Sequence, residues 1–366
     1  MRFLLIAFCI MLQSSAVLAE TQPAPSPDHL KLGYARLQEG KTAEASVEFR
    51  EALKKNPNEI AALVGLAQAL ERQYMLSDAI ANWKSAILLS PSSTEFRMGL
   101  GNSLLSNKQA DQALIAFKQA QDLAPRTIPP LLGMGDAYAR LNRYAEAQEC
   151  FERAMGLEPD NPVPTLALGR LAAQQKKVGI AIRQFQAALR IKPDFNEARL
   201  ALASSYIEIK SYDNAAREAA TIIALTPDLA DAHETLASAL NYLGQHDKAE
   251  TEYRILLEKN PDNAVYWGNY GWSLYLASKY ANAIEASNKA LKFNEKLSYV
   301  RLNIGLIYAV QGNHDQAFKE YAAALLISDA SDIKSAIQDI QDALKKTPGH
   351  VVLQQALELL RKSAHR

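Results

Sequence analysis

Apolar and polar positions along the chain repeat at helical spacing inside a longer period of 34 residues. An alanine followed four residues later by an aromatic side chain occurs at Ala45/Phe49, Ala79/Trp83, Ala113/Phe117, Ala147/Phe151, Ala181/Phe185, Ala249/Tyr253 and Ala317/Tyr321, always in the same 34-residue phase. Side chains four apart share one helical face, so each pair predicts an amphipathic helix with its aromatic directed at a neighbour. Two windows, Ala215/Ala219 and Ala283/Ser287, keep the alanine and lose the aromatic. A small residue keeps the same step at Gly33, Ala67, Gly101, Gly135, Gly169, Ala203, Ala237, Gly271 and Gly305. With no bulky side chain there, a second helix can approach closely. Proline stands at Pro57, Pro91, Pro125, Pro159, Pro193, Pro227 and Pro261, where it ends one helix pair and redirects the chain into the next. Each period therefore predicts helix A, a tight turn and helix B.

The stretch Met134 to Asp160, MGDAYARLNRYAEAQECFERAMGLEPD, carries Gly135, Tyr138, Tyr144, Ala147, Phe151, Ala154 and Pro159 at spacings that resemble the tetratricopeptide repeat family. Nine units fit this pattern, beginning at Ser26, Ile60, Thr94, Ile128, Pro162, Asn196, Ala230, Ala264 and Ser298. The resemblance spans residues 26–331 and implies an all-α fold, a right-handed α-solenoid of helix-turn-helix repeats. An open repeat stack requires terminal covers, and residues 332–366 read as C-terminal capping helices. Ile333, Ile337, Ile340 and Leu344 fall on one face of the first, and Val351 to Arg361 forms the second.

The N-terminus reads differently. Residues 1–19, MRFLLIAFCIMLQSSAVLA, combine a basic start, a short apolar run and small residues before a cut after Ala19, as in a signal peptide. Residues 20–27 form a proline-rich tether. Export is expected, with the periplasm as destination and no stable membrane insertion once the signal is cleaved.

Charge and composition narrow the chemistry. Forty basic and forty acidic residues cancel, which removes the positive surface that nucleic-acid binding needs. Of the two cysteines only Cys150 lies beyond the leader, so an internal disulfide and a thiolate metal site are both excluded, and a buried thiol is expected. The Gly99-Leu-Gly101 and Gly133-Met-Gly135 triplets fall inside helix A with no strand before them, so they do not read as phosphate loops. The six histidines form no metal-binding spacing, and no acid, base or nucleophile cluster stands out. No cofactor, no metal and no catalytic residues are expected.

The functional expectation is a non-catalytic scaffold for a protein or peptide partner. By resemblance, helix A lines a concave groove with its second, fifth, ninth, twelfth and thirteenth positions. In the later units these hold Asn241, Tyr242, Trp272, Tyr275, Leu276, Tyr299, Leu302 and Leu306. Tyr242, Trp272, Tyr275 and Tyr299 are candidate partner anchors, because groove aromatics offer rigid contact area. Packing beneath the cap is the competing reading of Trp272 and Tyr275. Arg140 and Arg170 are the candidate contacts of a more polar lining in the earlier units. Trp267 takes the family's structural tryptophan position and is expected in the core. Exported relatives imply a part in envelope, pilus or secretion-machinery assembly. A regulator that binds a polysaccharide or a cell-wall enzyme is the alternative.

Overall fold

The computed structural model describes residues 28–364, and every regular element among them is an α-helix. The expected signal peptide and tether, residues 1–27, lie outside the described residues. Two compact blocks divide the chain, residues 1–157 and 158–366. The first contains α1 (His29–Gln38), α2 (Thr42–Lys55), α3 (Ile60–Arg72), α4 (Leu76–Leu89), α5 (Thr94–Ser106), α6 (Ala110–Leu123), α7 (Ile128–Arg140) and α8 (Tyr144–Leu157). The second contains α9 (Pro162–Gln174), α10 (Val178–Ile191), α11 (Asn196–Glu208), α12 (Tyr212–Leu225), α13 (Ala230–Tyr242) and α14 (His246–Lys259). It continues with α15 (Ala264–Leu276), α16 (Tyr280–Phe293), α17 (Ser298–Val310), α18 (His314–Leu325), α19 (Ala330–Lys346) and α20 (Val351–Ala364). From α3 to α17 the odd-numbered helices start on the 34-residue step.

Within each block the helix-B aromatic is a wedge. The Phe117 ring is fully buried between α5 and α7: a methyl group on Gly101 would come within 2.4 Å of it, and one on Gly133 within 2.6 Å. Phe49 stands in the same way between Gly33 and Gly65, at 2.6 and 2.4 Å. In the second block, Phe185 closes on Gly169 at 2.4 Å and Tyr321 on Gly305 at 2.9 Å. Real Cβ atoms do not approach so near, so the glycines admit the rings and the rings set the helix spacing. Cys150 is buried, and desolvation raises its thiol pKa.

The turn between helices A and B is equally regular. A left-handed residue occupies it at Gly40, Tyr74, Lys108, Asn142, Lys176, Lys210, Gly244, Ser278 and Gly312, with φ between 58° and 76°. The amide that follows bonds back five residues, as in Gln109 N–H to the Leu104 carbonyl at 2.8 Å and Gln245 N–H to Leu240 at 2.9 Å. That is the Schellman closure of a helix C-terminus. Glycine adopts this conformation without penalty, but six of these positions carry a side chain.

The fourth position of helix A clamps the preceding turn. His233 contacts the Glu252 carboxylate at 2.6 Å and the Pro227 carbonyl at 2.9 Å. Arg199 donates to Glu218 and to the Pro193 carbonyl, both at 2.6 Å. Trp267 repeats the motif by donating its indole N–H to the Pro261 carbonyl at 2.7 Å, with Lys289 over its ring at 4.6 Å. It is only half-buried, so the expectation of a core tryptophan is corrected: its N–H needs the loop carbonyl, and that holds the ring at the edge.

Helices α19 and α20 pack on α17 and α18 through Ile333, Ile340, Leu353 and Leu360. Helix α19 begins at Ala330, two residues before the expected start, because the Asp329 side chain caps it by accepting from the Ser331 and Asp332 amides. Leu302 and Leu306 are each 2% exposed in this cluster, which corrects their reading as groove residues. On α19, Asp339 is buried enough, with Asp342 nearby, that its pKa is pushed up to about 6 from the ordinary carboxylate value.

Two measurements check these features. Tyr74 is 87% exposed at φ 58°, so Tyr74→Gly removes strain without losing packing and should stabilise the protein by about 0.5–1 kcal/mol. Gly244→Ala should shift urea unfolding the other way by a similar amount. Between pH 4 and 6 the folded state holds a proton on Asp339 that the unfolded chain has released. Stability associated with this residue therefore falls as pH rises through that window, and the deficit is complete above pH 6. Asp339→Asn should raise stability at about pH 8 by on the order of 1–2 kcal/mol after screening of its exposed part, with the gain vanishing below about pH 4.

Candidate functional site

In the second block a cavity of about 400 Å³ opens on the helix-A face, lined from α11, α13, α14 and α15. Ile207 closes one end, Glu234, Thr235, Ser238, Asn241 and Tyr242 come from α13, and Asn269, Trp272 and Leu276 from α15. Tyr253 reaches it from α14. On α13 these residues stand three and four apart, so one helical face supplies them all.

A polar network fixes the walls. Asn269 donates through Nδ2 to Glu234 Oε1 at 3.1 Å. Ser273 Oγ donates to Asn241 Oδ1 at 3.0 Å, and His246 Nδ1 contacts the same oxygen at 3.2 Å. In the first block Glu71 and Ser103 make the corresponding bond, five periods earlier in the chain. A polar bridge between successive A helices thus occurs in both of these units, although the same position is Leu105, Ala139, Ala173, Ile207 and Tyr275 elsewhere, and Asn241 fills a structural place as well as a wall of the cavity. Burial raises the Glu234 pKa, partly offset by the Asn269 bond and reinforced by Asp231. Tyr253 is 5% exposed, and desolvation moves its phenol upward.

The expected anchors separate here. Tyr242 is 59% exposed and stacks on Tyr212, with centroids 4.5 Å apart and planes 9° from parallel. Desolvation, Tyr212 and Asp339 raise its pKa. Trp272 lines the cavity and also rests against the cap cluster, with Tyr275 at 5.1 Å. Tyr275 packs on that cluster and on Tyr280 without lining the cavity, and burial pushes its pKa up to about 12. Tyr299 leans on Gly268, where a methyl group would meet its hydroxyl at 2.8 Å, and it too is pushed up to about 12 by burial. It also lies outside the cavity lining.

Arg170 is exposed and pairs with Glu197 at 3.2 Å, while Arg140 is exposed at the end of α7 in the first block. The candidate residues therefore do not converge on one place: Tyr242 and Trp272 share the cavity, and the other four do not. Glu234, Ser238, Asn269 and Tyr253 were not singled out from the sequence. Glu234 and Ser238 occupy the fifth and ninth positions of their unit, so the groove rule already pointed to them. Tyr253 read only as a wedge aromatic. Among the described residues, no cluster of histidine, cysteine and carboxylate side chains is arranged to hold a metal, and no helix is long and apolar enough to cross a membrane.

No curated protein matches this chain. Models of the tetratricopeptide repeat match residues 30–73, 76–126, 166–230 and 234–296, and a second such model matches 130–161. Among solved structures, the Cut9 and Hcn1 hetero-tetramer of the APC/C aligns with a TM-score of 0.51 at 16% identity, over 90% of this chain and 64% of that one. TTC0263, a thermophilic tetratricopeptide protein of Thermus thermophilus, is 27% identical over 49% of this chain and 97% of its own, with a TM-score of 0.42. PilW, a type IV pilus biogenesis factor, is 18% identical over 58% of this chain and 96% of its own, with a TM-score of 0.48. With the repeat models covering most of the sequence and helix pairs on their period, the chain belongs to the tetratricopeptide repeat family and has its all-α solenoid fold.

Proposed function

We propose that the protein is an exported binding scaffold whose second block holds a peptide segment of a protein partner over the cavity between α13 and α15. The cavity carries this reading. Its lining combines an exposed aromatic, a half-buried tryptophan and amide side chains, none of which is a wedge residue apart from Tyr253. Rigid aromatics beside hydrogen-bonding amides suit a polypeptide, which presents apolar side chains and main-chain polar groups together. The role we assign is binding, since the lining is built mainly of aromatic rings, amides and hydroxyls around one carboxylate.

Export rests on the sequence of residues 1–19, and the periplasm is the compartment it suits. There the scaffold serves assembly of envelope, pilus or secretion machinery. Tyr242 and Trp272 are the anchors of this site, and Tyr275 and Tyr299 support the neighbouring helices. The exposed Arg140 and Arg170 are contacts for a longer partner segment.

The test is cross-linking capture from an envelope fraction with protein starting at Glu20, against the Tyr242→Ala/Trp272→Ala double variant at matched helicity. Loss of a partner protein by the double variant is the expected result. Tyr275→Ala should instead lower the melting temperature, through the roughly 2–4 kcal/mol typical of truncating a largely buried aromatic. Equal capture by wild type and double variant would remove the cavity from the binding surface. Retention of a polysaccharide in place of a protein would favour the carbohydrate-binding alternative.

A further inference from the structure

Glu234 is the one acidic or basic side chain among the residues that line the cavity. Its Oε1 takes the Asn269 amide, and no lysine or arginine of the described residues pairs with it. The groups that act on it are burial, Asn269 and a second carboxylate, Asp231. A partly desolvated carboxylate with no cation beside it is under-compensated, and a cation arriving from outside would restore what burial removed. Asp339 adds to the field, since its buried carboxylate is close enough to Tyr242 and Tyr275 to act on both phenols. The nearby basic groups are engaged at the margin: Lys345 pairs with Asp342 at 2.6 Å, Lys210 faces Asp342, and Lys346 faces His246.

The aromatic lining fits the same ligand. Trp272 and Tyr242 both line the cavity, and aromatic side chains attract lysine ammonium and arginine guanidinium groups. The Tyr253 hydroxyl, on a side chain 5% exposed, makes no hydrogen bond among the described residues and lines the same cavity. Asn241 Nδ2 and Asn269 Oδ1 likewise have no protein partner among the described residues, which leaves one amide donor and one amide acceptor at the site. A main-chain peptide group needs that pair; a free polyamine would not use the acceptor and donor together.

Resting on the peptide-scaffold reading, we infer that the cavity is a subsite for a lysine or arginine side chain of an extended partner segment. Glu234 receives its charge, Trp272 and Tyr242 cover its alkyl stem, and Asn241 and Asn269 bond the adjoining main chain. An acidic segment is repelled by Glu234, and a neutral sugar leaves that carboxylate uncompensated.

The experiment uses the full mature chain from Glu20 and labelled nine-residue peptides in a glycine-serine-alanine background. The central residue is lysine, arginine, norleucine or glutamate, and binding is followed by fluorescence anisotropy. Lysine and arginine peptides should bind roughly tenfold or more tighter than norleucine, with glutamate weakest. Glu234→Gln, with helicity and melting temperature unchanged, should bring lysine and norleucine level. Trp272→Ala should weaken every peptide. If norleucine binds as well as lysine and Trp272→Ala weakens both, the cation subsite is overturned while the peptide-binding reading stands. If lysine and arginine peptides fail to bind up to about 1 mM and chitohexaose binds in a Trp272-dependent way, both readings fall. If no probe binds, the subsite is overturned as well.

Discussion

The close approach of an aromatic ring to glycine on a neighbouring helix is the constraint from which the rest follows. Phe117 touches α5 and α7 where neither helix has a Cβ to offer, and Phe49 does the same for α1 and α3. A ring held between two backbones fixes distance and rotation together, because a turned helix would bring a side chain into the ring. Once the rotation is fixed, the residues of helix A that do not meet the wedge are fixed as well. On α13 the small residue is Ala237 and the wedge is Tyr253, which itself lines the cavity, and Glu234, Ser238, Asn241 and Tyr242 share one face of that helix beside it.

The polar residues of that face divide their work. Asn241 continues a bridge between A helices that Glu71 makes in the first block, so its oxygen is committed to structure. Glu234 also bonds across to the next A helix, through Asn269, but it lines the cavity as well, and the places five periods earlier hold Val64 and Gly99. The electrostatics concentrate there because burial and Asp231 act on this carboxylate and no lysine or arginine of the described residues pairs with it. Neutral overall composition therefore coexists with a locally acidic site.

The period, the helix starts and the wedge contacts were legible in the sequence, because they depend on residue size and spacing alone. The left-handed turn was not, since Tyr74, Lys108 and Lys176 do not announce a positive φ; only alignment with Gly40, Gly244 and Gly312 on the period reveals it. The site was half legible. Tyr242 and Trp272 stood out as aromatics at groove positions, but Tyr275 and Leu306 at similar positions turn toward the cap, whose packing depends on the last two helices. Glu234 was passed over because a charge on a helix face usually means solvent. Its meaning comes from Asn269, a contact 35 residues away that one repeat viewed alone cannot show.

Ser287 occupies the wedge place in α16, opposite Gly271, where a methyl group would meet its oxygen at 2.5 Å. With no ring to hold them apart, α15 and α16 form the most intimate helix pair of the second block, and α16 touches α17 less than any other successive pair between α9 and α18. The Ser287 hydroxyl is buried there without a partner. A stack of nearest-neighbour contacts opens first at its poorest interface. The seam between α16 and α17 is accordingly the thinnest in this run of helices, bridged by Ala290, Val300 and Ile304 and by Trp272 and Tyr275 reaching the cap, so the cap and the cavity share the same few side chains.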